Sequence, residues 1–104
     1  MKALQTILVL EDEPLLLDHV VEVLSEVGYR VLPASNTAEA LHYLTDRTCP
    51  IDVMFADIRV PGRLNGLALA QEAQHGRPGL PVILTTGFAS ELLENPAHHA
   101  FDIL

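Results

Sequence analysis

Basic residues are scarce in this chain. Six Lys and Arg stand against 14 Asp and Glu, giving a formal net charge of −8. A segment with that balance repels nucleic-acid phosphates, so direct nucleic-acid binding is not expected of it. A basic protein patch or a divalent cation is the more natural partner. Cysteine is almost absent as well. Cys49 is the only one, which excludes an internal disulfide and fits a reducing, cytoplasmic setting. It precedes Pro50 and has no base nearby in sequence, so a catalytic thiol is not expected. Long apolar runs are also missing, and no membrane span is expected. The opening "MKALQTILVLEDEP" turns acidic too soon for a secretory signal.

Apolar residues come instead in short pieces. They make up 49% of 104 residues, a single-domain length with material for a core. Ile7–Leu10 is a short continuous apolar run, the pattern of a strand buried on both faces. Leu16, Val20, Val23, Leu24 and Val27 follow at helical spacing as a core stripe, and Gly28 ends that helix. Tyr29–Ala34 reads as a second strand. Ser35 or Asn36 can cap a second helix with Ala40, Leu41 and Leu44 inward. Ile51–Ala56 is a third strand ending at Asp57, and Asp52 at its start reads as a solvated cap. Pro61–Gly62 marks a turn. A third helix begins near Asn65–Gly66, and "GRPGLP" is a loop. Pro81–Leu84 is a fourth strand running into Thr85, Thr86 and Gly87. Ala89–Leu93 reads as helical, and Phe101–Leu104 as the start of a fifth strand. Strands alternating with helices predict a doubly wound α/β domain on a parallel sheet.

In such sheets ligands bind beyond the carboxyl ends of the strands, where strand order reverses. Glu11 and Asp12 follow the first strand, Asp57 ends the third, and Thr85 and Thr86 end the fourth. If those strands are neighbours, three carboxylates and a hydroxyl share one edge. Oxygen-only ligands with an incomplete shell suit Mg²⁺ better than zinc. Taken alone, Glu11-Asp12-Glu13 reads equally well as the acidic first turn of a helix, favoured by its dipole. Glu13 fits that role, with Pro14 in the first turn. Thr85 reads as a plain β-former, and His98–His99 as surface histidines.

With these motifs in order, the chain resembles the receiver domain of two-component response regulators. "ILVLEDEP", "DVMFADIRVPG" and "PVILTTGFA" carry the resemblance, which spans essentially the whole chain. It implies a flavodoxin-like sheet with strand order 2-1-3-4-5. It also implies that Asp57 accepts a phosphoryl group from a histidine kinase or a histidine phosphotransfer protein. By the same resemblance Glu11 and Asp12 hold Mg²⁺ with Asp57, and the backbone carbonyl of Arg59 completes the metal site. Thr86 contacts the transferred phosphoryl group and acts as a switch, beside the small residue Gly87. The protein is then a signalling module rather than an enzyme, at most hydrolysing its own acyl phosphate.

The chain also departs from that family. The lysine that usually follows the fifth strand, and the helix after it, find no counterpart before Leu104. Lys2 lies near the opposite edge. The expectation is a single receiver domain over residues 1–104, C-terminally incomplete, with its last helix missing. Burial of about four apolar side chains contributes roughly 6–12 kcal/mol, so a chain without that helix exposes a sticky face: the preferred reading is a fragment of a longer chain, and the alternative is a face covered by a partner, a swapped segment or a second copy in a homodimer. "RVPGRLNG" is one residue longer than the commonest loop, and Ile103 stands where the family often has an aromatic switch residue. Two rival readings stand beside the receiver. One is a degenerate or truncated receiver acting through protein contact alone. The other is a phosphohydrolase using an aspartyl phosphate, which Arg59 opposes by occupying the place of a second acid. A flavin site is opposed by acids where phosphate would need backbone donors.

Overall fold

The computed structural model describes residues 4–57, 66–85 and 102–103. Its elements run β1 (Thr6–Leu10), α1 (Pro14–Glu26), β2 (Arg30–Ala34), α2 (Thr37–Thr45), β3 (Val53–Asp57), α3 (Gly66–Gly76), β4 (Val82–Thr85) and β5 (Asp102–Ile103). The strands form one parallel sheet in the order β2-β1-β3-β4-β5. That is the flavodoxin-like order expected from the sequence. The turn at Pro61–Gly62, the helix at Ala89–Leu93 and His98–His99 lie outside the described residues.

Helix boundaries follow local chemistry. Pro14 occupies N1 of α1, where its missing N–H is no loss, and Glu13 is the N-cap rather than a first-turn residue. At the other end Gly28 adopts φ +102°, a conformation that disfavours a side chain. Its N–H donates to the Ser25 carbonyl, and the Tyr29 N–H donates to the Leu24 carbonyl, closing the helix in a Schellman motif. Asn36 caps α2 by accepting from the Glu39 N–H at 2.9 Å. Glu39 reaches back to the Ser35 backbone N–H and hydroxyl. In the loop before β4, Leu80 N–H donates to the Arg77 carbonyl across Pro78 and Gly79, with Gly79 at φ +86°.

The two faces of the sheet differ in what covers them. On one face Leu8, Leu10, Met54, Ala56, Val82 and Leu84 are buried in a core with Ala40 and Leu44 of α2 and Leu69, Ala70 and Ala73 of α3. On the other, Ile7 and Val9 are buried against Leu17 of α1, while Val53 and Phe55 are only partly covered. Thus β1 is buried on both faces, as its continuous apolar run predicted, but β3 and β4 alternate between buried and half-buried positions. Alternation goes with the placement of α1 over β1 and β2: among the described helices none lies over the β3–β4 half of that face.

The core stripe read for α1 needs correction. Leu17 is the buried residue, and Val20, Val21 and Leu24 pack beside it. Leu16, Val23 and Val27 are 46%, 44% and 66% exposed. The helix is apolar over a wider arc than one sheet contact can cover, and the sheet takes the side centred on Leu17. Asp52 also departs from its sequence reading. Although exposed, its carboxylate accepts from the Thr6 N–H at 2.6 Å. Its own N–H donates to the Thr6 carbonyl at 2.8 Å. Asp52 therefore clips the start of β3 to that of β1 and fixes their register.

Arg77 is a structural residue that sequence reasoning missed. Its guanidinium donates to the carbonyls of Leu44, Tyr43 and Asp46 at 3.2, 3.4 and 2.9 Å, satisfying the C-terminal carbonyls of α2. Charge-assisted bonds of this kind contribute about 1–3 kcal/mol together when partly exposed. Arg77→Ala is expected to lower Tm by about 5–10 °C, with Arg77→Lys losing less. Thermal denaturation followed by circular dichroism checks this, and an unchanged Tm would remove the clamp from the fold's support.

Candidate functional site

The parallel register builds the site. Leu10 of β1 pairs with Ala56 of β3, so the next residues, Glu11 and Asp57, emerge side by side at the carboxyl edge. β1 leads to β2 on one side while β3 and β4 continue on the other, so the order reverses between β1 and β3. That reversal opens the crevice in which such sheets bind ligands. Glu11 is anchored there because its N–H donates to the Ala34 carbonyl at 3.0 Å. One of its carboxylate oxygens accepts from the Glu13 N–H, also at 3.0 Å, just before α1.

One carboxylate oxygen each from Glu11, Asp12 and Asp57 lies within 4.8 Å of the others. Burial is graded across the group: Glu11 is buried, Asp57 half-buried and Asp12 exposed. The site is closed at its base and open at its rim. Like charges this close are costly, and they add to the cost of burying Glu11. Its pKa is raised, first by burial, then by the charges of Asp57 and Asp12, against the stabilising Glu13 N–H. Three hard oxygen donors that repel one another fit a hard divalent cation, which would relieve the repulsion and fill its remaining positions from outside the group.

The structure therefore brings together three of the five ligand and phosphoryl-site residues expected from the sequence: Glu11, Asp12 and Asp57. Arg59, Thr86 and its neighbour Gly87 lie outside the described residues. Ile103 lies in β5, its side chain likewise outside them. Thr85 ends β4 opposite Asp57, and its hydroxyl makes a long 3.5 Å contact to the Ala56 carbonyl. Cys49 is a half-buried free thiol. No helix among the described residues is long and apolar enough to cross a membrane.

Comparison with known proteins agrees with this geometry. Residues 7–104 match the response regulator receiver domain. A solved response regulator receiver domain protein from Clostridium thermocellum superposes with a TM-score of 0.84 at 31% identity, covering 97% of this chain and 81% of that one. The response regulator TrrA from Thermotoga maritima, solved in complex with Mg²⁺-BeF, gives a TM-score of 0.81 at 31% identity over 96% of this chain and 84% of that one. Among curated proteins, the transcriptional regulatory protein GlrR of Escherichia coli is 33% identical over 84 residues, 81% of this chain and 18% of its own length. The transcriptional regulatory protein AruR of Pseudomonas aeruginosa is 34% identical over 89 residues, 83% of this chain and 36% of its own. The chain thus spans about a third or less of these curated relatives. It belongs to the response regulator receiver domain family, the signalling modules of two-component systems.

Two measurements test the electrostatics of the cluster in metal-free protein. Removing one of its charges with Asp12→Ala should raise stability by about 1 kcal/mol, or about 4–8 °C in Tm. A lower Tm would mean that the carboxylates do not repel in the folded state. The raised pKa of Glu11 means that the native state keeps a proton which the unfolded chain has released. Over that window stability falls as pH rises, and its gain is fully present below the unfolded value. Urea denaturation at a series of pH values should show this decline in the wild type and a flatter profile in Glu11→Gln. Parallel profiles would contradict the assignment.

Proposed function

We propose that residues 1–104 form a phosphoacceptor receiver domain that takes a phosphoryl group onto Asp57 with Mg²⁺ held by Glu11, Asp12 and Asp57. The observation that supports it most is the position of Asp57: at the end of β3, half-buried, inside a carboxylate group at the point where strand order reverses. A carboxylate held there can attack phosphorus in line while the rest of the protein stays behind it. One Asp57 oxygen forms the new O–P bond as the P–N bond to a donor histidine breaks, leaving an acyl phosphate. The leaving imidazole takes its proton from solvent. The cation offsets carboxylate charge and the charge on the phosphoryl oxygens.

The other residues keep the roles that the resemblance implies. The backbone carbonyl of Arg59 completes the metal shell. Thr86 contacts the phosphoryl oxygens through its hydroxyl and couples phosphorylation to packing on that side of the sheet. The new group brings a charge of about −1.5 to −2 into an already acidic edge. That change is the signal. A histidine kinase or histidine phosphotransfer protein is the donor, and the setting is cytoplasmic. The domain acts as a receiver rather than as an enzyme turning over a separate substrate. The similarity to TrrA, which was solved with Mg²⁺-BeF, supports the metal.

Intact mass after incubation with a small-molecule phosphodonor and Mg²⁺ tests this reading. The wild type should gain one phosphoryl group and Asp57→Asn none. Thr86→Ala should still be modified but lose the accompanying change in amide exchange. No added mass in the wild type would favour a domain that works by protein contact alone.

A further inference from the structure

The sheet ends on one side at β2, which pairs with β1 alone. Printed hydrogen bonds fix which groups of β2 face outward. The Arg30 N–H donates to the Gln5 carbonyl at 2.8 Å, and the Ala34 carbonyl accepts from the Glu11 N–H at 3.0 Å. Backbone polar groups alternate sides along a strand, so Arg30, Leu32 and Ala34 turn theirs to β1. Tyr29, Val31, Pro33 and Ser35 turn theirs away from the sheet. Such an outward row is a template on which another strand can pair.

Three of those four positions are closed to a new strand. The Tyr29 N–H donates to the Leu24 carbonyl at 3.1 Å, in the turn that ends α1. Pro33 is exposed and has no N–H to offer. The Ser35 N–H donates to Glu39 Oε1 at 2.7 Å, and the Ser35 hydroxyl donates to the same oxygen. Among the described residues Val31 is left with the one outward N–H in this stretch that nothing engages. A proline inside a strand is tolerated at a sheet edge with its nitrogen outward, and Pro33 has that placement.

We propose that Pro33 guards this edge, keeping the β2 strand of a second copy from extending the sheet. A second copy is the strand to be kept off, because β2 can meet itself about a two-fold axis at Leu32. In that antiparallel register Val31 of one copy lies opposite Pro33 of the other. A bonded pair of this kind normally exchanges both N–H···O=C bonds. Pro33 supplies only its carbonyl, so each pair keeps one bond of the two. The ladder cannot lengthen from there, because the next outward N–H groups, of Tyr29 and Ser35, are already engaged. The net charge of −8 also resists pairing, but salt screens it beyond ~8 Å at physiological ionic strength. A missing donor is not screened, so the guard holds where repulsion weakens.

Two variants open the edge. Pro33→Val restores the donor with a β-branched side chain suited to a strand, and Pro33→Ala restores it with little bulk. Residue-resolved amide exchange, with sedimentation velocity from ~10 to ~500 µM in physiological salt, tests the proposal. In the wild type the Val31 amide should exchange at least ~10-fold faster than that of Leu32, which faces β1. In both variants its protection should rise at least ~10-fold with concentration as a dimer appears, while circular dichroism stays native. A wild-type Val31 amide as protected as that of Leu32 would overturn the proposal, because the edge would already be paired. Variants in which Val31 exchanges as in the wild type at every concentration would overturn it too, whether they stay monomeric or associate through another face.

Discussion

Repulsion among three carboxylates is the constraint around which this domain is arranged. Nothing about an isolated strand or helix would bring Glu11, Asp12 and Asp57 within 4.8 Å of one another. The sheet imposes it. The register of β1 on β3 sets Glu11 beside Asp57, and the Thr6–Asp52 clip at the far end of the same pair keeps that register from slipping. A one-residue slip would turn Asp57 to the opposite face and bury it in the α2–α3 core. The dry, well-packed face around Leu8, Met54 and Leu84 therefore keeps an unfavourable charge arrangement in place. Sites of this kind store electrostatic cost in the unliganded state and release it on binding.

The asymmetry of the two sheet faces follows from strand order. Connections that advance along the sheet put α2 and α3 together on one side, whereas the step back from β1 to β2 puts α1 on the other, alone among the described helices. The site lies between these two regimes, at the carboxyl ends of the strands where the directions diverge. Its rim is formed on one side by the residues that lead into α1, where the Glu13 N–H holds the Glu11 carboxylate, and the same helix carries the exposed Leu16, Val23 and Val27. A change in packing at that helix and a change in charge at the cluster are thus mechanically adjacent.

Much of this was legible in the sequence, because the period of apolar residues and the positions of acids report directly on strand ends. The continuous run Ile7–Leu10 marked a strand buried on both faces. Gly28 marked one helix end and the pair Ser35–Asn36 another through backbone chemistry that operates locally, the structure choosing Asn36 as the cap. What the sequence hid was tertiary. The α1 stripe holds Val20 and Leu24 correctly but takes Leu16 in place of Leu17 and adds the exposed Val23 and Val27, since Leu16 and Leu17 are chemically equivalent and only the position of the sheet distinguishes them. Asp52 read as a solvated cap because its partner, the Thr6 N–H, is 46 residues away. Arg77 was silent for the same reason, its acceptors lying more than 30 residues upstream. Of the site, the carboxylate group was legible from three motifs in order; the degree of burial that raises the Glu11 pKa was not.

The central claim is that the cluster is a cation site held in a repulsive state until filled. Calorimetric titration of Mg²⁺ into the wild type and into Asp12→Ala tests it most directly, with Tm followed in parallel. The account predicts one saturable site in the wild type, a rise in Tm that saturates with it, and loss of both in the variant. Equal heats and equal Tm shifts in the two proteins, or no saturable binding to the wild type, would contradict it.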